Sequence, residues 1–177
     1  MNKSITTSFI KLSKTEPEEV RKLMINEVGE KAKEKLYNNL KDLSDSYPNF
    51  EDWFYNIVIP QMEVKDGKRE IIIAISEVEN RKKYLLTGIA ILKNTIEEKK
   101  ICTFRVHKDF RNQGIGTKLF EECFKYLGTR KPTITISENT IEMFKKHIEY
   151  FEFEKCEILD GYYKNGIKEY VYNKKHY

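Results

Sequence analysis

The 177-residue sequence is poor in cysteine and contains no long apolar run. It has three cysteines, Cys102, Cys123 and Cys156, and none of them forms a CxxC motif. An odd number without that spacing argues against a disulfide framework and favours a reducing compartment. No apolar stretch approaches the length of a membrane span, and the N-terminus lacks the apolar core of a signal peptide. We therefore expect a cytoplasmic protein without a membrane segment.

A strong charge of one sign is absent as well. The formal net charge is +4, and it comes mainly from lysines dispersed among glutamates rather than from a basic block. This balance tolerates a polyanionic ligand, but it is not typical of a nucleic-acid-binding protein. The three histidines show no spacing to cysteines or carboxylates that suggests a metal site. We expect neither a metal nor nucleic acid as a ligand.

Length and composition predict one domain that spans residues 1–177. Hydrophobic residues make up 40% of the chain and charged residues 34%, an ordinary balance for a globular protein with a charged surface. A chain of this length can bury a sizeable core without a metal or a disulfide.

Apolar patterning predicts about seven strands interleaved with helices. The second to fourth strands follow one another through short polar turns, which predicts an antiparallel meander, and Asn165-Gly166 predicts a closing hairpin. The strands are expected at residues 4–12, 70–75, 84–92, 100–106, 132–137, 153–159 and 167–172.

Helices are predicted between these strands. The first is expected to begin at Thr15 and to break near Gly29, and a second segment carries apolar residues to Leu43. A short helix before Pro60 is expected to start at an Asn49 cap, and its apolar positions are Phe50, Trp53, Phe54 and Ile57. Another helix is predicted over residues 115–127, and a last one is capped by Asn139 or Ser137.

The stretch 106–127 is the centre of the functional argument. A strand leads into a short turn with Arg111, Gly114 and Gly116, and an apolar stripe of helical spacing follows. The first N–H groups of a helix have no partner within the helix, and the helix dipole is positive at that end. Glycines allow a phosphate to approach the backbone. The pattern predicts an anion site.

The motif Arg111-x-x-Gly114-x-Gly116 resembles the acyl-CoA pyrophosphate loop of the GCN5-related N-acetyltransferases, the GNAT family. That loop reads Arg/Gln-x-x-Gly-x-Gly/Ala and lies between the fourth strand and the following helix. The order of predicted elements is similar to the family's over residues 4–172. The resemblance implies an α/β fold of the α+β type, in which helices flank a mixed, mostly antiparallel sheet of about seven strands.

The resemblance also implies acetyl transfer from acetyl-CoA, as cosubstrate, to a primary amine of a small molecule, peptide or protein. In the family, the strands that correspond to residues 100–106 and 132–137 splay apart and hold the pantetheine arm. Asn139 is expected either to reach this arm or to act as a plain cap. The cofactor-binding residues implied are Phe104, Arg105, Val106, Arg111, Asn112, Gln113, Gly114, Ile115, Gly116, Thr117 and Asn139.

The sequence departs from the family at the catalytic acid. Many members carry a tyrosine on the last helix, and the matching position here is Phe144 or Lys146, depending on where that helix starts. Weak candidates for the missing acid are Tyr150, Tyr163 and Ser137. His107 follows the fourth strand and is a tempting base, although a surface role on the loop is the simpler interpretation.

The alternatives therefore stay open. An active N-acetyltransferase is the first hypothesis, and a catalytically inactive CoA-binding regulatory or interaction module is the second. The second rests only on Phe144 at the position of the usual tyrosine. Nucleic-acid binding is a third hypothesis that rests on mild basic charge alone. A homodimer is compatible with all three.

Overall fold

The structure is a computed structural model that describes residues 5–14, 30–45, 47–78 and 83–174. The helix expected to begin at Thr15 lies outside the described residues as far as Gly29, and so does most of the polar turn at 79–83.

The described residues form a seven-stranded sheet with the order β1-β2-β3-β4-β5-β7-β6. Its strands are antiparallel to their neighbours, except that β4 and β5 are parallel. This confirms the predicted mixed, mostly antiparallel sheet. The strands are β1 Ile5–Lys11, β2 Arg69–Val78, β3 Lys83–Asn94, β4 Lys99–Val106, β5 Thr133–Ser137, β6 Lys155–Asp160 and β7 Lys168–Tyr172.

Four helices of the described residues flank the sheet. They are α1 Glu30–Asn38; α2, which runs through Phe50–Trp53, Phe54–Val58 and Ile59–Glu63; α3 Ile115–Leu127; and α4 Ile141–Tyr150. Short 3₁₀ turns occupy Leu12–Lys14, Lys41–Asp45 and Lys108–Phe110. Within the described ranges, no helix has both the length and the apolar character to cross a bilayer.

Each face of the sheet buries its own core. On one face, α3 and α4 pack through Phe120, Phe124 and their neighbours against Ile72 and Leu92. On the other face, α1 and α2 pack against alternate residues of β2, including Ile71 and Ile73. Because β2 is covered on both faces, its continuous apolar run is fully buried, as expected for a central strand.

The middle of α2 differs from the predicted pattern. The helix does not end before Pro60 but continues through it, and residues 54–58 form a wide π turn. Proline has no N–H to donate to the preceding turn, and a wider turn accommodates that loss. The extra width rotates Val58 into the core and leaves Ile57, one of the four apolar positions noted in the sequence, 40% exposed.

Of two predicted helix caps, one is confirmed in position and the other is wrong. Asn49 is the N-cap residue of α2, although it has φ 62° and its side chain makes no capping bond. At α4 the N-cap residue is Thr140, not Ser137 or Asn139. Ser137 is the last residue of β5, and the N–H of Thr140 donates to its carbonyl oxygen in the turn between strand and helix. Sequence spacing alone could not give the length of that turn.

Candidate functional site

The parallel strands β4 and β5 separate after a single short stretch of pairing. They pair only at Lys100 with Thr133 and at Ile101 with Ile134. The next residue, Cys102, is the extra residue of a bulge, because the β3 register passes from Thr103 directly to Ile101. A bulge bends its strand and increases the local twist. The bulge therefore turns residues 103–106 away from β5 and produces the expected gap between these strands.

The loop that follows β4 leads to an uncapped helix end. Asn112 has φ 60° and Gly114 has φ 80°, and Gly114 is the N-cap residue of α3. No side chain caps this helix. A β-carbon at Gly114 would meet no atom within 4 Å, so the backbone here is open on its outer side. Unpaired N–H groups at a helix start, with the dipole behind them, form a site for an anion.

Gly116 serves a different purpose from Gly114. A β-carbon at Gly116 would lie 3.1 Å from His147 Nε2 and 3.7 Å from Val106 Cγ2. A side chain at this position would crowd His147, because α4 packs directly against the first turn of α3. Burial lowers the pKa of His147, which favours the neutral imidazole, and Nε2 lies 3.4 Å from Thr117 Oγ1. Helix α4 thereby supports the start of α3 from the protein side.

The side chains of β4 near the gap are engaged elsewhere. Phe104 stacks on Phe120 with ring centroids 4.0 Å apart, and Arg105 forms a bidentate ion pair with Asp42. The hydrogen bonds from Arg105, together with its charge, lower the pKa of Asp42. The side chains of both residues therefore already have partners within the protein. Arg111 donates from Nε to the carbonyl oxygen of Val106 over 3.2 Å, which keeps its charge beside the glycine loop.

The opposite face of the sheet holds a buried carboxylate on β7, the neighbour of β5 on the side away from the gap. Ser137 ends β5 and is paired in register with Glu169 of β7. Glu169 is 1% exposed and Ser137 is 2% exposed, yet Glu169 Oε2 and Ser137 Oγ have no hydrogen-bond partner among the described residues. Burial raises the pKa of Glu169 to about 7; the nearby Ser137 hydroxyl opposes the rise without reaching hydrogen-bond geometry, and the charge of Glu138 adds to it.

Two tyrosines and two loops surround this carboxylate. The rings of Tyr47 and Tyr163 meet edge to face with centroids 4.7 Å apart. Tyr47 follows the Lys41–Asp45 turn, and Tyr163 lies in the hairpin between β6 and β7. Lys164 Nζ in the same hairpin donates to the carbonyl oxygen of Asp45 over 3.0 Å. Burial, with the Glu169 charge as a further cause, raises the pKa of both tyrosines, that of Tyr163 to about 12.

The catalytic candidates from the sequence fall in different places. Ser137 and Tyr163, with Glu169 and Tyr47, form a group that we call the Glu169 cluster. Tyr150, in contrast, is 67% exposed at the far end of α4 from Ser137. Phe144 lies against Phe104 and Phe120, in the core below the gap. His107 accepts a hydrogen bond from the Asp109 N–H and caps the short 3₁₀ turn of the loop. Asn139 is exposed between β5 and α4.

Sequence reasoning missed Glu169 and Tyr47. Glu169 stands near the start of a short strand, where a charged residue usually faces solvent, and Tyr47 lies in a connection. One signal was available: the apolar alternation of β7 places Glu169 on the same side as Val171 and opposite Tyr170 and Tyr172. Its burial depends on the β5–β7 register and on two loops distant in sequence. No group of three metal-ligating side chains occurs in the part of the chain that the structure describes.

Comparison with known proteins gives one family match. The model of the acetyltransferase (GNAT) family matches residues 34–148. A search of curated proteins returns no significant match.

Solved structures share the fold at low sequence identity. The ribosomal-protein-S18-alanine N-acetyltransferase of Escherichia coli is similar with a TM-score of 0.54 and 15% identity, over 96% of this chain and 92% of that one. A Bacillus anthracis protein, described as a streptothricin acetyltransferase and solved in complex with acetyl coenzyme A, gives 0.52 and 16%, over 66% and 67% of the two chains. Nourseothricin acetyltransferase gives 0.51 and 12%, and the match covers 60% of this chain and 65% of that one.

Proposed function

Because the chain belongs to the acetyltransferase (GNAT) family, we propose that it transfers the acetyl group of acetyl-CoA to a primary amine. In this proposal the diphosphate of the cosubstrate lies on the uncapped start of α3, and the pantetheine arm runs into the gap between β4 and β5. Phe104, Arg105 and Val106 offer main-chain groups to the arm. Residues 112–117 offer N–H groups to the diphosphate, and Arg111 adds positive charge.

One observation carries the proposal. The bulge at Cys102 opens β4 away from β5, and the opened strand leads through the glycine loop into a helix end without a side-chain cap. Free strand edges bind extended ligands by main-chain hydrogen bonds, and a helix start binds phosphate. A thioester with a diphosphate at one end and an extended amide arm matches both features.

The acceptor can be identified less narrowly than the cosubstrate. Similar structures carry names that refer to an alanine of ribosomal protein S18, to streptothricin and to spermidine, and all three contain amino groups. We propose a primary amine of a small molecule, peptide or protein, with a cytoplasmic site of action supported by three cysteines that are all free thiols.

A catalytically inactive CoA-binding module is the second candidate. Phe144 supports it, because this side chain lies in the aromatic core with Phe104 and Phe120 and has no proton to donate to a leaving thiolate. The two candidates make the same prediction for cosubstrate binding and opposite predictions for turnover.

Cosubstrate binding is tested by calorimetric titration with acetyl-CoA and a Gly114→Asp variant. Aspartate at the N-cap position would direct its carboxylate at the same N–H groups and repel the diphosphate, so we expect a Kd at least about 100-fold higher than that of the wild type. Gly128→Asp is the matched control. It lies at the other end of α3, also at positive φ, with no atom within 4 Å of the added β-carbon.

If Gly114→Asp bound acetyl-CoA as tightly as the wild type does, the diphosphate could not lie on the start of α3, and the proposal would be contradicted. A Gly114→Asn variant separates charge from shape, since asparagine tolerates positive φ and carries no charge. We expect it to bind acetyl-CoA more tightly than Gly114→Asp does.

Turnover is tested by release of the CoA thiol from acetyl-CoA in the presence of spermidine, lysine, an amino sugar or a peptide with N-terminal alanine. Thiol release that depends on one of these amines supports the enzyme. Binding of acetyl-CoA without thiol release for any of them supports the inactive module.

A further inference from the structure

The strand β7 buries a carboxylate that the fold itself does not satisfy. Glu169 Oε2 is enclosed and without a hydrogen-bond partner among the described residues, and the neighbouring Ser137 Oγ is in the same condition. Buried polar groups in native proteins are nearly always paired, and an unpaired carboxylate is among the most unfavourable groups to bury. The Ser137 hydroxyl is close enough to lower the pKa of Glu169, but neither atom reaches hydrogen-bond geometry, so the pair can still bind a ligand that brings its own donors.

No cation among the described residues compensates this carboxylate. Ser137 and Glu138 act on its pKa, its own charge acts on the pKa of Tyr47 and Tyr163, and no lysine, arginine or histidine of the described residues contributes. Glu138 is held in place because its Oε1 accepts the N–H of Lys168 over 2.9 Å. A carboxylate among aromatic rings and hydroxyls, without a partner cation, is suited to bind an external ammonium group.

The carboxylate is also only one strand away from the gap where the thioester is proposed to lie. Ser137 is the last residue of β5, on the side of the sheet where β4 has already turned away. Tyr170 and Tyr172 of β7 pack toward α3 and α4, so Glu169 faces the other side of the sheet. In the proposed binding mode the thiol end of the cosubstrate reaches the end of β5, where Ser137 is the register partner of Glu169.

We infer that Glu169 is the acceptor site and the general base of the proposed transfer: its carboxylate binds the ammonium group of a primary amine and takes one of its protons. This inference rests on the proposed function. Tyr47 and Tyr163 enclose the ammonium group, and Ser137 lies beside the carboxylate. The substrate class that follows is a protonated primary amine, in preference to an alcohol or an aromatic amine.

The step balances in protons and electrons. The Glu169 carboxylate removes one proton from R–NH₃⁺, and the freed lone pair attacks the thioester carbonyl carbon. The C–N bond forms, the tetrahedral intermediate collapses, and the C–S bond breaks with its electron pair on sulfur. The second amine proton passes to the thiolate, which gives CoA–SH and R–NH–CO–CH₃, and Glu169 later releases its proton to water.

The pKa of Glu169 is consistent with this task. A base that titrates near neutral pH combines a useful ionised fraction with enough basicity to accept a proton. Its pKa of about 7 has burial as the main cause, with Glu138 raising it further and Ser137 lowering it.

The test compares wild type and Glu169→Gln in amine-dependent thiol release between pH 5.5 and 9.5, with the amine that the wild type accepts. For the wild type, kcat/KM is expected to fall below about pH 7. In Glu169→Gln the acid limb disappears and kcat/KM drops about 10²- to 10⁴-fold near pH 7, the usual range for loss of a general base. Because hydroxide deprotonates the free amine, the gap between the two proteins narrows as pH rises.

Two neighbouring substitutions move the acid limb in opposite directions. Ser137→Ala removes the hydroxyl that lowers the pKa of Glu169, so the limb moves to higher pH. Glu138→Gln removes the charge that raises it, so the limb moves to lower pH, and the amide oxygen can still accept the Lys168 N–H. A residue that only supports the fold would not produce these opposite shifts.

Acetyl-CoA binding distinguishes a failure of the role assigned to Glu169 from a failure of the proposed function. Glu169→Gln is expected to bind acetyl-CoA as the wild type does, which also shows that it is folded, and Glu97→Gln on the exposed turn before β4 controls for the substitution itself. A variant that keeps kcat/KM within threefold, or keeps the acid limb, overturns the role of Glu169 while the proposed function stands. If the wild type turns over no amine, the proposed function fails and this inference falls with it.

Discussion

Two glutamates are buried in the same sheet, and the protein treats them in opposite ways. Glu70 on β2 is 0% exposed, and its Oε1 accepts the N–H groups of Ser13 and Ile71, each over 3.0 Å. The Ser13 hydroxyl donates to its other oxygen. Glu169 on β7 is 1% exposed, and its Oε2 is left without a partner among the described residues.

The difference distinguishes a structural carboxylate from one kept for a ligand. Glu70 joins the first 3₁₀ turn to the central strand, and its donors replace the water it lost on burial. Glu169 lost its water without such replacement, which reduces stability unless an occupant supplies the bonds. The comparison predicts that removal of the first group weakens the fold, whereas removal of the charge of the second strengthens it.

The largest effect on stability is expected for Glu70→Ala. This change leaves the N–H groups of Ser13 and Ile71 without their acceptor and opens a small cavity, so we expect a loss of about 3 kcal/mol or more in the free energy of unfolding. Urea denaturation followed by circular dichroism measures it. A loss below about 1 kcal/mol would show that Glu70 is no more structural than Glu169.

A smaller effect of opposite sign is expected for Glu169→Gln, and it depends on pH. In the folded protein the pKa of Glu169 is about 7, above its ordinary value of 4.5, so between these values the folded state holds a proton that the unfolded state has lost. The wild type therefore loses stability as pH rises through this window, and the variant does not. We expect the variant to be more stable by about 1 to 3 kcal/mol at pH 8.

The check is a pair of denaturation curves at pH 5 and pH 8. The advantage of Glu169→Gln over the wild type should be small at pH 5 and larger at pH 8. An advantage that is equal at both values, or a variant less stable than the wild type at pH 8, would contradict a destabilising charge at Glu169.

The smallest effect is expected for Glu70→Gln. The amide oxygen can accept both N–H groups that now bind Oε1, and the amide nitrogen can donate to the Ser13 oxygen, so only the charge assistance is lost. We expect a loss of about 1 kcal/mol at neutral pH by the same urea method. A gain in stability, like that expected for Glu169→Gln, would remove the contrast between the two sites.

Much of the fold was predictable because it depends on local pattern. The β2 run, the meander and the glycine loop before α3 each carry their signal within a few residues, and the structure places them as predicted. The π turn in α2 was not predictable in this way, because helical spacing assigns Ile57 to the core and the wide turn places Val58 there instead.

The candidate site likewise has one part that local sequence pattern could predict and one part that it could not. The start of α3 is a local feature of Arg111, Gly114 and Gly116, so the sequence indicated it directly. The Glu169 cluster joins β5, β7 and two loops that are far apart in the chain, and the one local sign of its burial is that alternation along β7 places Glu169 on the same side as Val171. The register in which β5 pairs with β7, rather than the residue type, accounts for the burial of this carboxylate.

A crystal structure with bound CoA tests the central claim most directly. We predict diphosphate oxygens within hydrogen-bond distance of the N–H groups at the start of α3, and the thiol between β4 and the end of β5, facing the Glu169 carboxylate. A closed gap, a diphosphate elsewhere, or a thiol separated from Glu169 by packed side chains would contradict the account.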